Sequence, residues 1–148
     1  MPTVFKRFSF DAAHRLPGLK PGHRCGRIHG HTFHLEVRCA GSIQPTTGMV
    51  VAYEDIKGAV LPVLADLDHH LLNDLPGLEI PTTENLAAYL WKRLQPALPL
   101  LSELLLQETA TAGILYRGPE VPAGRDSRRP RTGTLDRMRR KSFTNRSP

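Results

Sequence analysis

Between Thr32 and Cys39 the chain alternates without a fault. Phe33, Leu35, Val37 and Cys39 take one parity, and Thr32, His34, Glu36 and Arg38 take the other. Successive side chains of a strand point to opposite faces, so this pattern specifies a half-buried strand with one apolar face turned to a core. His29 and His31 share the apolar parity. If strand geometry extends back to them, both project from the buried face where the strand begins, while His34 points to solvent. Just upstream, Cys25-Gly26-Arg27-Ile28-His29-Gly30-His31 places one thiol, two imidazoles and two glycines in a single short run. A third imidazole, His14, precedes the cysteine in the chain.

The remaining elements can be set around this strand. Val4–Phe10 reads as a strand rich in aromatics and bounded by Asp11, with His14 just beyond its end. Pro17, Gly18, Pro21 and Gly22 make residues 15–24 a loop. Gly41–Gly48 is a turn, and Met49–Val51 reads as a short strand. A helix is predicted over Tyr53–Leu67, with Ile56, Val60, Val63 and Leu67 on one stripe and Glu54 and Asp55 suited to its N-terminal dipole. Pro62 should kink or split it. A second helix begins near Thr82 or Thr83, either of which can N-cap it, and carries Leu86, Leu90 and Leu94 on one stripe. Glu103–Thr109 and Gly113–Arg117 read as two strands joined by a short turn. The order β-β-(β)-α-α-β-β argues for an α+β fold with a mainly antiparallel sheet and both helices on one face.

Composition narrows the function classes. The 148 residues suggest one domain, residues 1–118, followed by a segment 119–148 in which apolar periodicity stops and Arg, Pro, Ser, Gly and Thr dominate, a disorder-type composition. The net charge of +6 lies wholly in that segment: residues 1–118 hold eleven Lys/Arg against eleven Asp/Glu, and 119–148 hold nine against three. No apolar run approaches the roughly 18–20 residues of a membrane span, and the N-terminus has no signal-peptide h-region. Two cysteines in unlike contexts, Cys25 and Cys39, are no disulfide framework and fit a reducing cytosol. Cys39, on the apolar strand face, reads as an inert core thiol.

His14, His29 and His31 form a candidate three-imidazole zinc set, since catalytic zinc sites keep three protein ligands and one open position. Against this stands the reading of three unrelated histidines near loops. Cys25, among basic residues, can serve as a base or nucleophile, or as a fourth zinc ligand that closes the site. Asp68-His69 has the residue types of a proton relay. Adjacent residues face each other only in a turn, and the alternative is a polar helix end. Glu108 shares the parity of Leu104 and Leu106, so its carboxylate points toward the apolar side, which is costly unless it is paired. It can receive a two-donor fork such as the 2-amino-pyrimidinone edge of guanine or pterin, or pair with Arg117 or another arginine. Arg15, Lys20, Arg24 and Arg27 make either a solvated loop or a basic lip for an anionic substrate.

Taken in order, F-D-A-A-H at 10–14, C-G-R-I-H-G-H at 25–31, L-D-H-H at 67–70, P-T-T-E-N at 81–85 and E-T-A-T-A-G at 108–113 resemble the 6-pyruvoyl-tetrahydropterin synthase superfamily. The three residues between Cys25 and His29 resemble its 6-carboxy-tetrahydropterin branch, since the pyruvoyl branch usually has a longer gap. The resemblance spans about residues 3–118 and implies the tunnelling fold, whose subunits close into trimeric barrels that stack as a hexamer with active sites between subunits. It implies Zn2+ on His14, His29 and His31, with Cys25 as general base and Asp68 and His69 as relay. It implies that Glu108 anchors the pterin ring, with Thr82 and Thr83 beside it, and that Arg15, Lys20, Arg24 and Arg27 hold the triphosphate. The implied reaction takes 7,8-dihydroneopterin triphosphate to 6-carboxy-5,6,7,8-tetrahydropterin, acetaldehyde and triphosphate, on the route to queuosine and other 7-deazapurines.

Two features depart from that pattern. Ala52 stands where the family usually has Asp or Asn, which removes an N-cap. The basic segment 119–148 is an addition, either inert or a nucleic-acid-binding arm. Two other functions compete: a triphosphate elimination that yields 6-pyruvoyl-tetrahydropterin, and a non-catalytic zinc protein with Cys25 as fourth ligand and a nucleic-acid-binding tail.

Overall fold

The parity seen from Thr32 to Cys39 runs further than its apolar residues do. In the computed structural model, which describes residues 1–120, strand β2 spans His29–Ala40. It pairs antiparallel along its whole length with β1, Thr3–His14, from Thr3 opposite Ala40 to His14 opposite His29. On the other side of β2 lies β3 (Leu101–Gln107), followed by β4 (Gly113–Tyr116), so the sheet has the order β1-β2-β3-β4 with every neighbour antiparallel. The sheet is open. Helices α1 (Tyr53–Ala65) and α2 (Thr83–Leu94) pack their leucine, isoleucine and valine stripes on the face formed by Phe33, Leu35, Val37, Leu104 and Leu106. The α+β arrangement with both helices on one face is therefore as the sequence predicts. The expectation for residues 119–148 lies, beyond Glu120, outside the described residues.

Several boundaries differ from expectation, each for a local reason. Strand β1 does not stop at Asp11. Asp11–His14 continue the ladder against Thr32–His29, and the Thr32 hydroxyl donates to the Asp11 carboxylate across the pair. His14 is thus a strand residue, not a loop residue. Strand β3 starts at Leu101 and ends at Gln107, because a register shift at Arg38/Cys39 brings Leu101 opposite Cys39. Glu108 and Thr109 have left the ladder and donate their N–H groups to the Ala112 carbonyl. Met49–Val51 is not a strand. The Gln44 N–H donates to the Met49 carbonyl and the Gly48 N–H to the Gln44 carbonyl, closing a loop that satisfies its own backbone.

Helix α1 ends at Ala65, and a further turn over Asp66–Asp68 carries Leu67 into the core. The helix runs unbroken through Pro62, which neither ends nor divides it. The bond that Pro62 cannot donate would have reached the Gly58 carbonyl. Both residues are exposed, so that carbonyl stays open to water and the defect falls on the solvent side. Ala52 occupies the N-cap of α1 and makes no side-chain bond, whereas Thr82 caps α2 by accepting the Asn85 N–H at 3.2 Å.

The helix-free face carries an ion-pair web. Arg7 and Arg38 both donate to Glu36, at 2.7 and 2.6 Å, and Arg38 also pairs with Glu103. Arg117 pairs with Glu103 at 2.6 Å, not with Glu108. Among the described residues no helix is long and apolar enough to cross a membrane.

Candidate metal centre and active site

Parity and register together bring three imidazoles to one end of the sheet. His29 and His31 project from the core face of β2, and His14, directly opposite His29 on β1, is buried between them. One ring nitrogen from each lies within 4.8 Å of the others. The Nδ1 atoms of two of the rings are already engaged: His14 Nδ1 lies 2.8 Å from the Pro81 carbonyl oxygen, and His29 Nδ1 lies 2.8 Å from that of Arg27. A carbonyl can only accept, so in both rings Nδ1 carries the proton and Nε2 presents a lone pair. Those two Nε2 atoms face each other at 3.0 Å, and His31 Nε2 is buried with no partner at all. Lone pairs converging in a buried pocket are unfavourable until a cation sits among them. Carbonyls that fix the tautomer from behind are the usual support of histidine metal ligands. Burial holds the His14 pKa below its ordinary value, although the Pro81 carbonyl acts in the opposite direction, which favours the neutral form that a ligand needs. These residues fit a metal ion held by imidazole nitrogens. The group does not include Cys25.

Asp68 and His69 form a second unit. The Asp68 carboxylate meets His69 Nδ1 at 2.9 Å, although the two are neighbours in sequence. The turn this requires is present, since His69 has φ of +58°, a left-handed conformation that costs a non-glycine residue energy. β1 holds it there. The Asp11 N–H donates to Asp68 at 2.9 Å, and the Asp11 carbonyl accepts the His69 N–H at 2.6 Å. The Asp11 N–H and then His69 hold the Asp68 carboxyl below the usual carboxylate range, and Asp68 in turn raises the His69 pKa. The His69 side chain is 77% exposed, so its Nε2 is free to meet a substrate or another chain. His69 and His31 line one open cavity of about 530 Å³, walled also by Asp11, Gly30 and Thr32; Cys25 does not line it.

Glu108 sits just past β3, half-buried, and accepts the Thr83 hydroxyl at 2.9 Å. Cys25 is half-buried in a short turn of 3-10 helix, Arg24–Gly26. Arg15, Lys20, Arg24 and Arg27 are all exposed on the surrounding loop, and among the described residues none is engaged in an ion pair.

The family model for 6-pyruvoyl tetrahydropterin synthase matches residues 3–119. The chain belongs to that family. It is 38% identical over 127 residues to the 6-carboxy-5,6,7,8-tetrahydropterin synthase of Synechocystis, covering 82% of this chain and 97% of that one. It is 37% identical over 126 residues to the 6-pyruvoyl tetrahydrobiopterin synthase of Poecilia reticulata, covering 74% and 86%. The solved structure of 6-pyruvoyl tetrahydropterin synthase from Caenorhabditis elegans superimposes with a TM-score of 0.74 at 28% identity, over 80% of this chain and 96% of that one.

Within this pterin synthase fold, the sequence-derived site residues fall into three groups. His14, His29 and His31 come together, as do Asp68 with His69 and Glu108 with Thr83. Thr82 serves the backbone as a helix cap, and its hydroxyl is occupied there. Sequence reasoning missed the carbonyls of Pro81 and Arg27 and the backbone of Asp11. The only signal for them was position inside the P-T-T-E-N, C-G-R-I-H-G-H and F-D-A-A-H segments, because a backbone group leaves no residue type to read.

Proposed function

We propose that this pterin synthase is a zinc-dependent carbon–carbon lyase. It would convert 7,8-dihydroneopterin triphosphate to 6-carboxy-5,6,7,8-tetrahydropterin with release of acetaldehyde and triphosphate, in the biosynthesis of queuosine-type 7-deazapurines. The observation that carries this reading is local. Cys25 sits in the 3-10 turn Arg24–Gly26, separated from His29 at the start of the metal strand only by Gly26, Arg27 and Ile28, and the three-histidine group does not include it. The similarity to the Synechocystis 6-carboxy enzyme supports the same branch.

Zinc held by His14, His29 and His31 supplies Lewis-acid stabilisation for charge developing on the substrate's side-chain oxygens. The other roles fall to the chain's own groups. Cys25, as thiolate, takes a proton from the substrate side chain. Asp68 fixes His69 by Nδ1 and leaves Nε2 to carry a proton to or from the reacting atoms. Glu108, oriented by the Thr83 hydroxyl, accepts the paired N–H donors of the pterin edge. Arg15, Lys20, Arg24 and Arg27 hold the triphosphate. A homohexamer with sites shared between subunits, a cytoplasmic location, and a division into residues 1–118 for catalysis and 119–148 as a separate basic segment complete the proposal.

Incubation of the zinc-loaded chain with 7,8-dihydroneopterin triphosphate tests it. Acetaldehyde and the 6-carboxy product are expected in equal amounts. Triphosphate without acetaldehyde would instead identify the 6-pyruvoyl elimination. Cys25→Ala should keep its zinc and lose turnover. Loss of the metal would mark Cys25 as a ligand and favour the non-catalytic zinc protein.

A further inference from the structure

His23 occupies the exposed loop before the metal strand and resembles one more surface imidazole. Its ring is not free. The Cys25 N–H donates to His23 Nδ1 at 3.1 Å, and His23 is the N-cap of the 3-10 turn Arg24–Gly26 that carries the thiol. The turn itself is short. Its backbone contributes the Gly26 N–H to the His23 carbonyl at 3.0 Å and the Arg27 N–H to the Arg24 carbonyl at 3.2 Å. Beyond these, Cys25 is tied by its own carbonyl, which accepts the Leu16 N–H at 2.8 Å. The ring is aimed by its own backbone, where the His23 N–H meets the Lys20 carbonyl at 3.1 Å across Gly22, which sits at φ +84°. The end of the same turn presents the Arg27 carbonyl to His29 Nδ1. One short path therefore runs from the His23 ring through the Cys25 backbone to the tautomer of a metal ligand.

We propose that His23 is a positioning residue for Cys25: its Nδ1 caps the turn and fixes the backbone that carries the thiol into the metal strand. This deepens the lyase reading given above and rests on it for the role of the thiol. His23 lies outside the three-histidine group. It acts by accepting one backbone N–H. Asparagine at an N-cap does the same through its side-chain oxygen, whereas alanine cannot. A misplacement of a reacting group by about 1 Å is enough to cost on the order of a hundredfold in rate.

The test uses the zinc-loaded full-length chain and its His23→Ala and His23→Asn variants. His23→Ala is expected to lower kcat by about ten- to a hundredfold, and His23→Asn is expected to restore it. A second measurement needs no turnover. The rate of Cys25 alkylation by iodoacetamide, followed by mass spectrometry with buried Cys39 as internal reference, should rise several-fold in His23→Ala and match wild type in His23→Asn. Equal alkylation in all three proteins would overturn the proposal. So would a His23→Asn enzyme as slow as His23→Ala, since the imidazole itself would then be required. If the wild-type protein releases no acetaldehyde, the lyase reading fails, and the alkylation rates still decide the role of His23.

Discussion

At the scale of single residues, His31 is the clearest case of a side chain that is incomplete alone. Its Nε2 is buried with no hydrogen-bond partner, next to two rings whose Nδ1 protons point away toward carbonyls. His31→Ala is expected to weaken zinc binding by at least about tenfold, read by titration against a chromophoric chelator, with the sheet intact by circular dichroism. His69 gives a pH expectation with a definite sign. Asp68 raises its pKa, so its protonated form persists to higher pH than an isolated imidazole would allow. In Asp68→Asn, the limb of the kcat–pH profile that belongs to His69 should therefore move to lower pH. A limb that stays in place would show that the pair is not coupled during turnover. These residues differ in how legible they were. The shared parity of His29, His31 and Phe33 announced the metal strand, and Glu108's parity marked it as anomalous. The Asp68–His69 contact could not be read, because it depends on a left-handed backbone that no propensity assigns to histidine.

At the scale of elements, the helices and the central strand follow from periodicity, and the errors fall where a backbone settles its own hydrogen bonds. Met49–Val51 has strand composition yet forms no ladder, because Gln44 already claims the Met49 carbonyl. Pro62 has the residue type of a breaker, and its exposure on the outer side of α1 makes the lost bond tolerable. The uncapped start of α1 invites a direct test. Ala52 has the extended backbone of an N-cap residue, φ −73° and ψ 142°, without the oxygen. Ala52→Asn should add about 1 kcal/mol of stability, measured by urea denaturation. On the sheet, Glu36 is buried, and burial alone would raise its pKa; the Arg7 and Arg38 hydrogen bonds outweigh burial and lower it. The stabilisation this provides is complete above the ordinary carboxylate range and is lost as pH falls through the lowered value. Glu36→Gln should cost about 1–3 kcal/mol at neutral pH, and the difference from wild type should shrink in acid.

At the scale of the whole molecule, the open sheet leaves the outer edges of β1 and β4 unpaired among the described residues, apart from the contacts that residues 68–73 make near His14. Free edges and an exposed His69 support an assembly in which one chain's relay serves another chain's thiol. Mixing separately inactive Cys25→Ala and His69→Ala proteins, then unfolding and refolding them together, should regain part of the wild-type turnover. No recovery would place the relay and the thiol in one chain. The polarity of the sheet has a practical consequence. Thr3 pairs with Ala40, and Arg117 reaches Glu103, so the chain enters and leaves at the end opposite the His14–His29 pair. At about 3.3 Å per residue, the length of β1 separates Thr3 from the histidines by roughly 35 Å. A fluorophore, affinity handle or surface tether joined near Thr3 would begin a full sheet length from the metal centre of the same chain. A label there therefore stays far from the three-histidine centre of its own chain.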